Sequence, residues 1–166
     1  MPPRVVLVGP MGSGKTTVGA ELAGLLGVAL RDTDHDVEAI DGRPISEIFV
    51  ESGEAHFRGL ERSAVRTAIG EHDGVLALGG GAVLDPGTRA LLAGLPVAFL
   101  RVGLSEAVKR VGLGTSRPLL LGNVRSRIKA LLDERAPIYE SVATIVVDTD
   151  ERSPREVAEA IVEELP

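Results

Sequence analysis

The stretch VVLVGPMGSGKT, from Val5 to Thr16, decides the fold of this chain. Its first four residues form an apolar run without alternation, which is typical of a strand buried on both faces of a parallel sheet. The remaining eight, Gly9–Thr16, match the pattern G-x-x-x-x-G-K-[ST] of a phosphate-binding loop. A helix is predicted next, because apolar residues between Gly14 and Leu26 recur with a period of about 3.6. This order of strand, loop and helix predicts an anion site at the helix N-terminus.

Two residues of this loop indicate which anion it binds. The glycines allow backbone N–H groups to surround a phosphate, and Lys15 adds a positive charge suited to the β- and γ-phosphates of ATP. The hydroxyl of Thr16 is the expected ligand of Mg²⁺. We therefore predict ATP and Mg²⁺ as the cofactors. The alternative interpretation is an ordinary glycine-rich turn with an exposed lysine.

The composition limits the classes of protein to consider. A chain of 166 residues is the size of one compact domain, and we predict a single domain over residues 1–166. The net charge of −6 provides no general attraction to nucleic acid or to an anionic membrane. The absence of Cys excludes disulfides and thiolate chemistry. With no signal peptide or membrane span evident, we expect a cytoplasmic protein, and nothing in the sequence requires more than a monomer.

Further apolar runs predict four more buried strands, at residues 28–30, 75–78, 97–100 and 144–147. Helical patterns separate them, at residues 36–40, 46–50, 54–69, 88–92, 105–111 and 125–139. A last helix is marked by a Ser153 cap, Pro154 in its first turn and Glu156 completing a capping box. Alternating strands and helices predict a three-layer α/β fold with a five-stranded parallel sheet flanked by helices. The glycine-containing insertion after residue 111 predicts a mobile lid over about residues 112–124.

Two carboxylates, Asp32 and Asp34, follow the second predicted strand. In an open α/β sheet this strand end lies at the carboxyl edge, beside the crevice of the phosphate loop. We expect Asp32 to hold the Mg²⁺ shell through water, and Asp34 to align an attacking hydroxyl or accept its proton. The alternative, that both residues only cap the helix that follows, stays open at this point.

The third predicted strand ends in Gly79, Gly80 and Gly81, where many P-loop NTPases carry the Walker B aspartate. Three glycines allow a ligand or another segment to approach the backbone closely. The missing acid favours a small-molecule kinase over a GTPase or a motor protein. A flexible turn after a strand is the alternative interpretation.

The chain resembles the shikimate kinase family essentially from end to end, in the segments VVLVGPMGSGKTT, DTD, GEAHFRGLE, LGGGAV, TSRPLL and ERAPIY. The resemblance implies a P-loop fold like that of the nucleoside monophosphate kinases. It also implies transfer of the γ-phosphoryl group of ATP to the 3-hydroxyl of shikimate, giving shikimate 3-phosphate and ADP. That reaction belongs to the shikimate pathway of chorismate and aromatic amino-acid biosynthesis.

The resemblance further implies a role for individual residues. Those expected to bind ATP are Gly12, Ser13, Gly14, Lys15, Thr16, Thr17, Arg110, Arg117 and Arg152, of which Arg117 is the lid arginine and the other two arginines lie near the adenine. Those expected to bind shikimate are Asp34, Arg58, Gly79, Gly80, Gly81 and Arg135. Thr16 and Asp32 are expected to organise Mg²⁺. The expected catalytic residues are Lys15, Asp34 and Arg117.

The chemistry of shikimate agrees with these implied roles. Shikimate is a carboxylate with three hydroxyls, and Arg58 and Arg135 are fork-shaped donors able to bind a carboxylate through two hydrogen bonds. Glu61 follows Arg58 by three residues on a predicted helix, close enough to orient its guanidinium group. For either arginine the alternative is a simple surface charge. Phe49 and Phe57 are either core residues or walls of the substrate pocket.

Three other functions stay open at the level of sequence. A kinase of another hydroxylated acid, similar to gluconate kinase, has a comparable loop and size. A nucleoside monophosphate kinase would use the arginines to hold an acceptor phosphate. A non-catalytic ATP-binding regulator is expected to have lost Lys15, Asp34 or Arg117, and all three are present.

Overall fold

The computed structural model describes residues 2–112 and 121–166, where the chain folds as alternating strands and helices. The strands are β1 (Val5–Val8), β2 (Leu30–Asp32), β3 (Val75–Ala77), β4 (Val97–Arg101) and β5 (Ile145–Asp148). The helices are α1 (Lys15–Leu26), α2 (Thr33–Asp41), α3 (Ile45–Glu71), α4 (Pro86–Leu92), α5 (Leu104–Gly112), α6 (Leu121–Val142) and α7 (Pro154–Glu164). A short 3₁₀ turn, Ala82–Leu84, follows β3.

The five strands form one parallel sheet in the order β2-β3-β1-β4-β5, which confirms the predicted fold class. Strand β1 is central, and Val6 is paired with Leu76 of β3 on one side and Val97 of β4 on the other. The connection from β1 to α1 therefore leaves the middle of the carboxyl edge, between the ends of β3 and β4 and one strand away from β2. This order brings the phosphate loop, the two aspartates and the triple glycine to one place.

The core lies on both faces of the sheet, and β1 contributes to each. Val5 and Leu7 pack with α1 and α7, through Leu22 and Ile161 among others. Val6 and Val8 pack on the opposite face, in a cluster that includes residues of α3, α4 and α6. All four β1 side chains are at most 1% exposed, and each buried side chain of this size contributes about 1.5–3 kcal/mol to folding. The run without alternation is explained by this two-sided burial.

Several predicted boundaries differ from the structure. Strand β2 begins at Leu30, not at residue 28, because the backbone N–H of Val28 donates to Ala23 O at the C-terminal end of α1. Helix α2 begins at Thr33, because the Asp32 carboxylate accepts from the backbone N–H of Asp34 and caps it. The break predicted between the helices at residues 46–50 and 54–69 is confirmed, because α3 is interrupted at Gly53, whose φ of 87° is not helical.

The predicted lid lies largely outside the described residues, and so does Arg117. Within the described part, α5 extends to Gly112 and α6 begins at Leu121, so residues 121–124 are helical. The capping box predicted for the last helix is present, with Ser153 and Glu156 bonding to each other's backbone N–H. None of the described helices is both long and apolar enough to cross a membrane.

Candidate active site

The phosphate loop between β1 and α1 depends on its glycines for its shape. Gly9, Gly12 and Gly14 have φ angles of 153°, 82° and 87°, which side chains rarely adopt. A Cβ atom on Gly9 would also lie 2.8 Å from the carbonyl oxygen of Leu100. Ser13 is 1% exposed, and its Oγ has no hydrogen-bond partner in the described part of the chain. A buried hydroxyl without a partner is costly, so the loop is shaped to receive a polar ligand.

The Lys15 side chain folds back over this loop. Its Nζ donates to Gly9 O at 2.7 Å and to Pro10 O at 3.1 Å. Burial lowers the pKa of Lys15 from 10.5 to about 8, while the charges of Asp34 and Asp32 oppose that shift. The ammonium group is therefore held at the loop and is not the exposed lysine of an ordinary turn.

Asp32 and Thr16 face each other across the crevice. Thr16 Oγ1 lies 3.3 Å from Asp32 Oδ2, while Asp32 Oδ1 caps α2. Hydroxyl and carboxylate oxygens are the donors that Mg²⁺ prefers, and this cation typically keeps several waters and substrate phosphates in its shell. Among residues 2–112 and 121–166 there is no cluster of three or more acidic, His or Cys ligands for a metal ion. The pair fits a Mg²⁺ that arrives with a nucleotide.

Asp34 lies between the phosphate loop and the triple glycine. A Cβ atom on Gly79 would come within 2.7 Å of Asp34 Oδ1. Burial and the charge of Asp32 raise the pKa of Asp34, and Lys15 opposes them. The capping carboxylate of α2 is that of Asp32 alone, so the interpretation of both aspartates as caps is wrong for Asp34.

Arg58 on α3 is fixed by a buried carboxylate, as the spacing predicts. Its Nη1 donates to Glu61 Oε1 at 2.7 Å, and Glu61 is 4% exposed. Its guanidinium group lies against Gly81, where a Cβ atom would come within 2.5 Å of Nη2. Arg58 is therefore an ordered, half-buried group rather than a simple surface charge.

Phe57 is a core residue. It is 4% exposed and packs in a small cluster with Val37, Ile48 and Ala64 under α2 and α3. The half-buried Phe49 stacks on it with ring centroids 4.7 Å apart. The cluster supports the part of α3 from which Arg58 projects.

Arg135 approaches the same region from α6. It is half-buried, and its charge acts on both Glu61 and Tyr139. The structure thus brings together the described residues predicted for the acceptor: Asp34, Arg58, Gly79, Gly80, Gly81 and Arg135.

A cleft lies beside the phosphate loop, at the start of α1. Its volume is about 290 Å³, and Ser13, Gly14, Thr17, Arg110 and Arg152 are among the residues that line it. Arg110 Nη1 donates to Gly12 O at 2.9 Å, which ties α5 to the loop. Apart from Arg117, the residues predicted to bind ATP therefore line this cleft or belong to the phosphate loop beside it.

A family model described as Shikimate kinase matches residues 11–166. The chain belongs to the shikimate kinase family. The shikimate kinase of Salinispora arenicola is 61% identical over 158 residues, which cover 95% of each chain. That of Thermobifida fusca is 57% identical over 164 residues, covering 99% of this chain and 95% of its own.

A solved structure of a shikimate kinase has the same fold as this chain. The shikimate kinase of Acinetobacter baumannii, determined in complex with shikimate, superposes with a TM-score of 0.89 at 36% identity. The match covers 98% of this chain and 92% of that one. Family membership confirms that the chain is an ATP-dependent kinase of the transferase class.

Sequence reasoning assigned no role to one residue of this shikimate kinase site. Tyr139 is 1% exposed, and its hydroxyl donates to Gly80 O at 2.5 Å. The available signal was its position four residues after Arg135 on one helix, which places both side chains on the same face. A second residue without a predicted role, Asp150, accepts from the backbone N–H of Gly103 and so anchors the start of α5.

Proposed function

We propose that this protein transfers the γ-phosphoryl group of ATP to the 3-hydroxyl of shikimate, giving shikimate 3-phosphate and ADP in the shikimate pathway. The observation that carries the proposal is the convergence of Asp34, Arg58 and Arg135 beside the loop that holds Lys15. A carboxylate with several hydroxyls suits a pocket with two guanidinium groups and one carboxylate. Membership of the shikimate kinase family selects shikimate among such acids.

The acceptor is held by charge-assisted hydrogen bonds in this proposal. Arg58 and Arg135 bind the carboxylate of shikimate, and the backbone of Gly79 to Gly81 allows its ring to approach closely. Asp34 accepts hydrogen bonds from the hydroxyls and receives the proton of the 3-hydroxyl. Burial supports this last role, because it raises the pKa of Asp34 and makes the carboxylate a better proton acceptor.

The donor is held by the phosphate loop. Lys15 and the N–H groups of residues 12–17 bind the phosphates, and Arg110 and Arg152 border the base. Thr16 and Asp32 hold Mg²⁺, which when bound neutralises negative charge on the β- and γ-phosphates. The bond between the γ-phosphorus and its bridging oxygen to the β-phosphate breaks as the bond to the shikimate oxygen forms. Arg117, outside the described residues, is proposed as the lid arginine that stabilises the transferring group.

The remaining partner assignments are also proposals. We propose a cytoplasmic monomer whose partners are small molecules, without nucleic acid or membrane. The net charge of −6 supports the absence of nucleic-acid and anionic-membrane partners. Light scattering of the purified protein on a sizing column, with and without ATP, tests the monomer.

The experiment that tests the function is ADP release by the purified protein with Mg-ATP and one acceptor at a time. Shikimate, gluconate, AMP and no acceptor are compared at equal concentration, with Asp34→Asn as the matched inactive variant. We expect a shikimate-dependent rate that the variant loses, and shikimate 3-phosphate as the product. A higher rate with gluconate or AMP would assign the chain to another acceptor. Binding of ATP with no rate for any acceptor would indicate a regulator.

A further inference from the structure

Tyr139 connects helix α6, strand β4 and the triple glycine, whose relative positions matter for the proposed reaction. The residue lies on α6 and is 1% exposed. Its ring packs on Phe99 of β4, with centroids 5.0 Å apart. Its hydroxyl donates to the carbonyl oxygen of Gly80 at 2.5 Å. The buried hydroxyl has one donor and uses it for that carbonyl, so the position of the triple glycine Gly79 to Gly81, here called the glycine loop, depends on the position of α6.

The glycine loop lies next to the phosphate loop, with space between them for about one methyl group. A Cβ atom on Gly80 would lie 3.5 Å from Met11 N and 3.6 Å from Gly9 O, which is ordinary van der Waals distance. The peptide held by Tyr139 therefore forms part of the boundary between the acceptor side and the donor side. A shift of Gly80 changes how far a bound acceptor lies from the phosphates.

Tyr139 also lies near Arg135, a cation on the same helix α6. Burial raises the pKa of the Tyr139 phenol, and the nearby Arg135 guanidinium opposes that shift. The two residues are four positions apart and share one face of the helix. The same side chain thus touches the glycine loop and lies beside an arginine assigned to the acceptor carboxylate.

We infer that Tyr139 is a positioning residue of the acceptor site, whose hydroxyl fixes the Gly80 carbonyl and thereby the separation between the glycine loop and Arg135. The inference rests on the proposed function, because it takes Arg135 and the glycine loop to bind shikimate. A purely structural tyrosine would support the core through its ring and would not affect acceptor binding. The two roles are separable, since the ring packs on Phe99 and only the hydroxyl contacts Gly80.

The first test is Tyr139→Phe, which keeps the ring and removes the hydroxyl. We expect the KM and Kd for shikimate to rise about five- to twentyfold, as for loss of a buried hydrogen bond, while the KM for ATP stays within about twofold. Ser141→Ala is the matched control, because it removes a side-chain hydrogen bond to Ile138 O on the same helix, away from Gly80. A shikimate Kd that is unchanged in a folded Tyr139→Phe protein would overturn the inference.

A second measurement needs no substitution of the tyrosine. The chain has one Tyr and no Trp, so its intrinsic emission and its near-ultraviolet absorption above about 275 nm report Tyr139 alone. We expect shikimate to change this signal in the unmodified enzyme with a midpoint equal to its Kd, and pyrophosphate, a ligand for the phosphate loop without an absorbing base, to leave it nearly unchanged. If saturating shikimate does not change the Tyr139 signal, the hydroxyl is not coupled to the acceptor site.

Arg135→Ala separates this inference from the function on which it rests. If Arg135→Ala weakens shikimate binding and Tyr139→Phe does not, the acceptor site stands and the role of Tyr139 is wrong. If neither substitution affects shikimate binding, the assignment of the acceptor site fails together with the inference. Weakened binding in both, with ATP binding preserved, supports both.

Discussion

Arg58 Nη1 lies 2.7 Å from Glu61 Oε1, in an ion pair whose arginine is half-buried and whose glutamate is almost fully buried. Burial raises the pKa of Glu61, and the hydrogen bond from Arg58 opposes that shift. The charge of Asp34 raises the same pKa further. Glu61 therefore lies next to both a cation and a carboxylate that we assign to the acceptor site. Its role is to hold the guanidinium group against Gly81.

We predict that Glu61→Gln raises the KM for shikimate about tenfold and changes the KM for ATP little. The substitution keeps the shape but replaces a charge-assisted hydrogen bond with a weaker neutral one, so Arg58 is less well oriented. Steady-state kinetics with each substrate varied in turn measures the effect.

Glu54→Gln is the control for that prediction. Glu54 Oε1 lies 3.5 Å from Arg58 Nε, but its side chain is 65% exposed, and exposed pairs contribute little. Similar losses of shikimate affinity in both variants would show that Arg58 is not oriented through Glu61.

We predict that Asp34→Asn gains stability relative to the unmodified protein as the pH rises from 4 to 7, while losing turnover by orders of magnitude. The pKa of Asp34 is raised in the folded state, mainly by burial. A carboxyl with a raised folded pKa contributes stability below its unfolded pKa, and that contribution is lost as the pH rises through the folded value. Asparagine carries no such dependence. Urea unfolding of both proteins at pH 4 and pH 7 provides the measurement, and a stability difference that is the same at both pH values contradicts the argument.

The fold was predictable because its signals are local and strong. The two-sided strand Val5–Val8 was located to the residue, and the Ser153 capping box lies at the predicted helix start. The errors occurred where a helix end and the pairing of strands override the pattern. Val28 is apolar, but it closes the end of α1, and β2 forms only from Leu30, where it pairs with Val75 of β3.

The sequence indicated residues that the structure brings together at the candidate site, but not the contacts that hold them there. The residue types and the strand ends indicated the two aspartates, the glycines and the arginines. No sequence pattern indicates that the Tyr139 hydroxyl reaches Gly80 or that Asp150 holds Gly103, because these contacts join residues 59 and 47 positions apart. Such distant pairs are defined by how the helices pack on the sheet.

We predict that the affinity of the free enzyme for Mg-ATP falls as the pH rises through about 8. Burial lowers the pKa of Lys15 to about 8, so above that pH the unliganded enzyme increasingly lacks the charge that binds the phosphates. Bound phosphates favour the ammonium form, which makes binding take up a proton in this range. Titration calorimetry between pH 7 and pH 9.5 measures how the affinity for Mg-ATP changes with pH.

Lys15→Arg is the matched variant for this dependence. Its guanidinium group stays charged over the whole range, so we expect weaker binding at pH 7 but a flatter pH profile. If the affinity for Mg-ATP still falls as steeply with pH in Lys15→Arg, the titrating group is not Lys15.

The last prediction concerns the space at Gly79. We predict that Gly79→Ala lowers turnover by at least about tenfold and costs about 1–3 kcal/mol of stability, because inserting a methyl group into a packed site forces its neighbours apart. The new Cβ would lie 2.7 Å from Asp34 Oδ1 and 2.9 Å from Glu61 Oε2, so both carboxylates would have to shift from their observed positions. Gly70→Ala is the control, because Gly70 lies in α3 and a Cβ atom added there would have no neighbouring atom within 4 Å. That control should keep full activity and gain about 0.5–1 kcal/mol from the helix propensity of alanine. Full activity in Gly79→Ala would mean that Asp34 does not need its observed position for phosphoryl transfer.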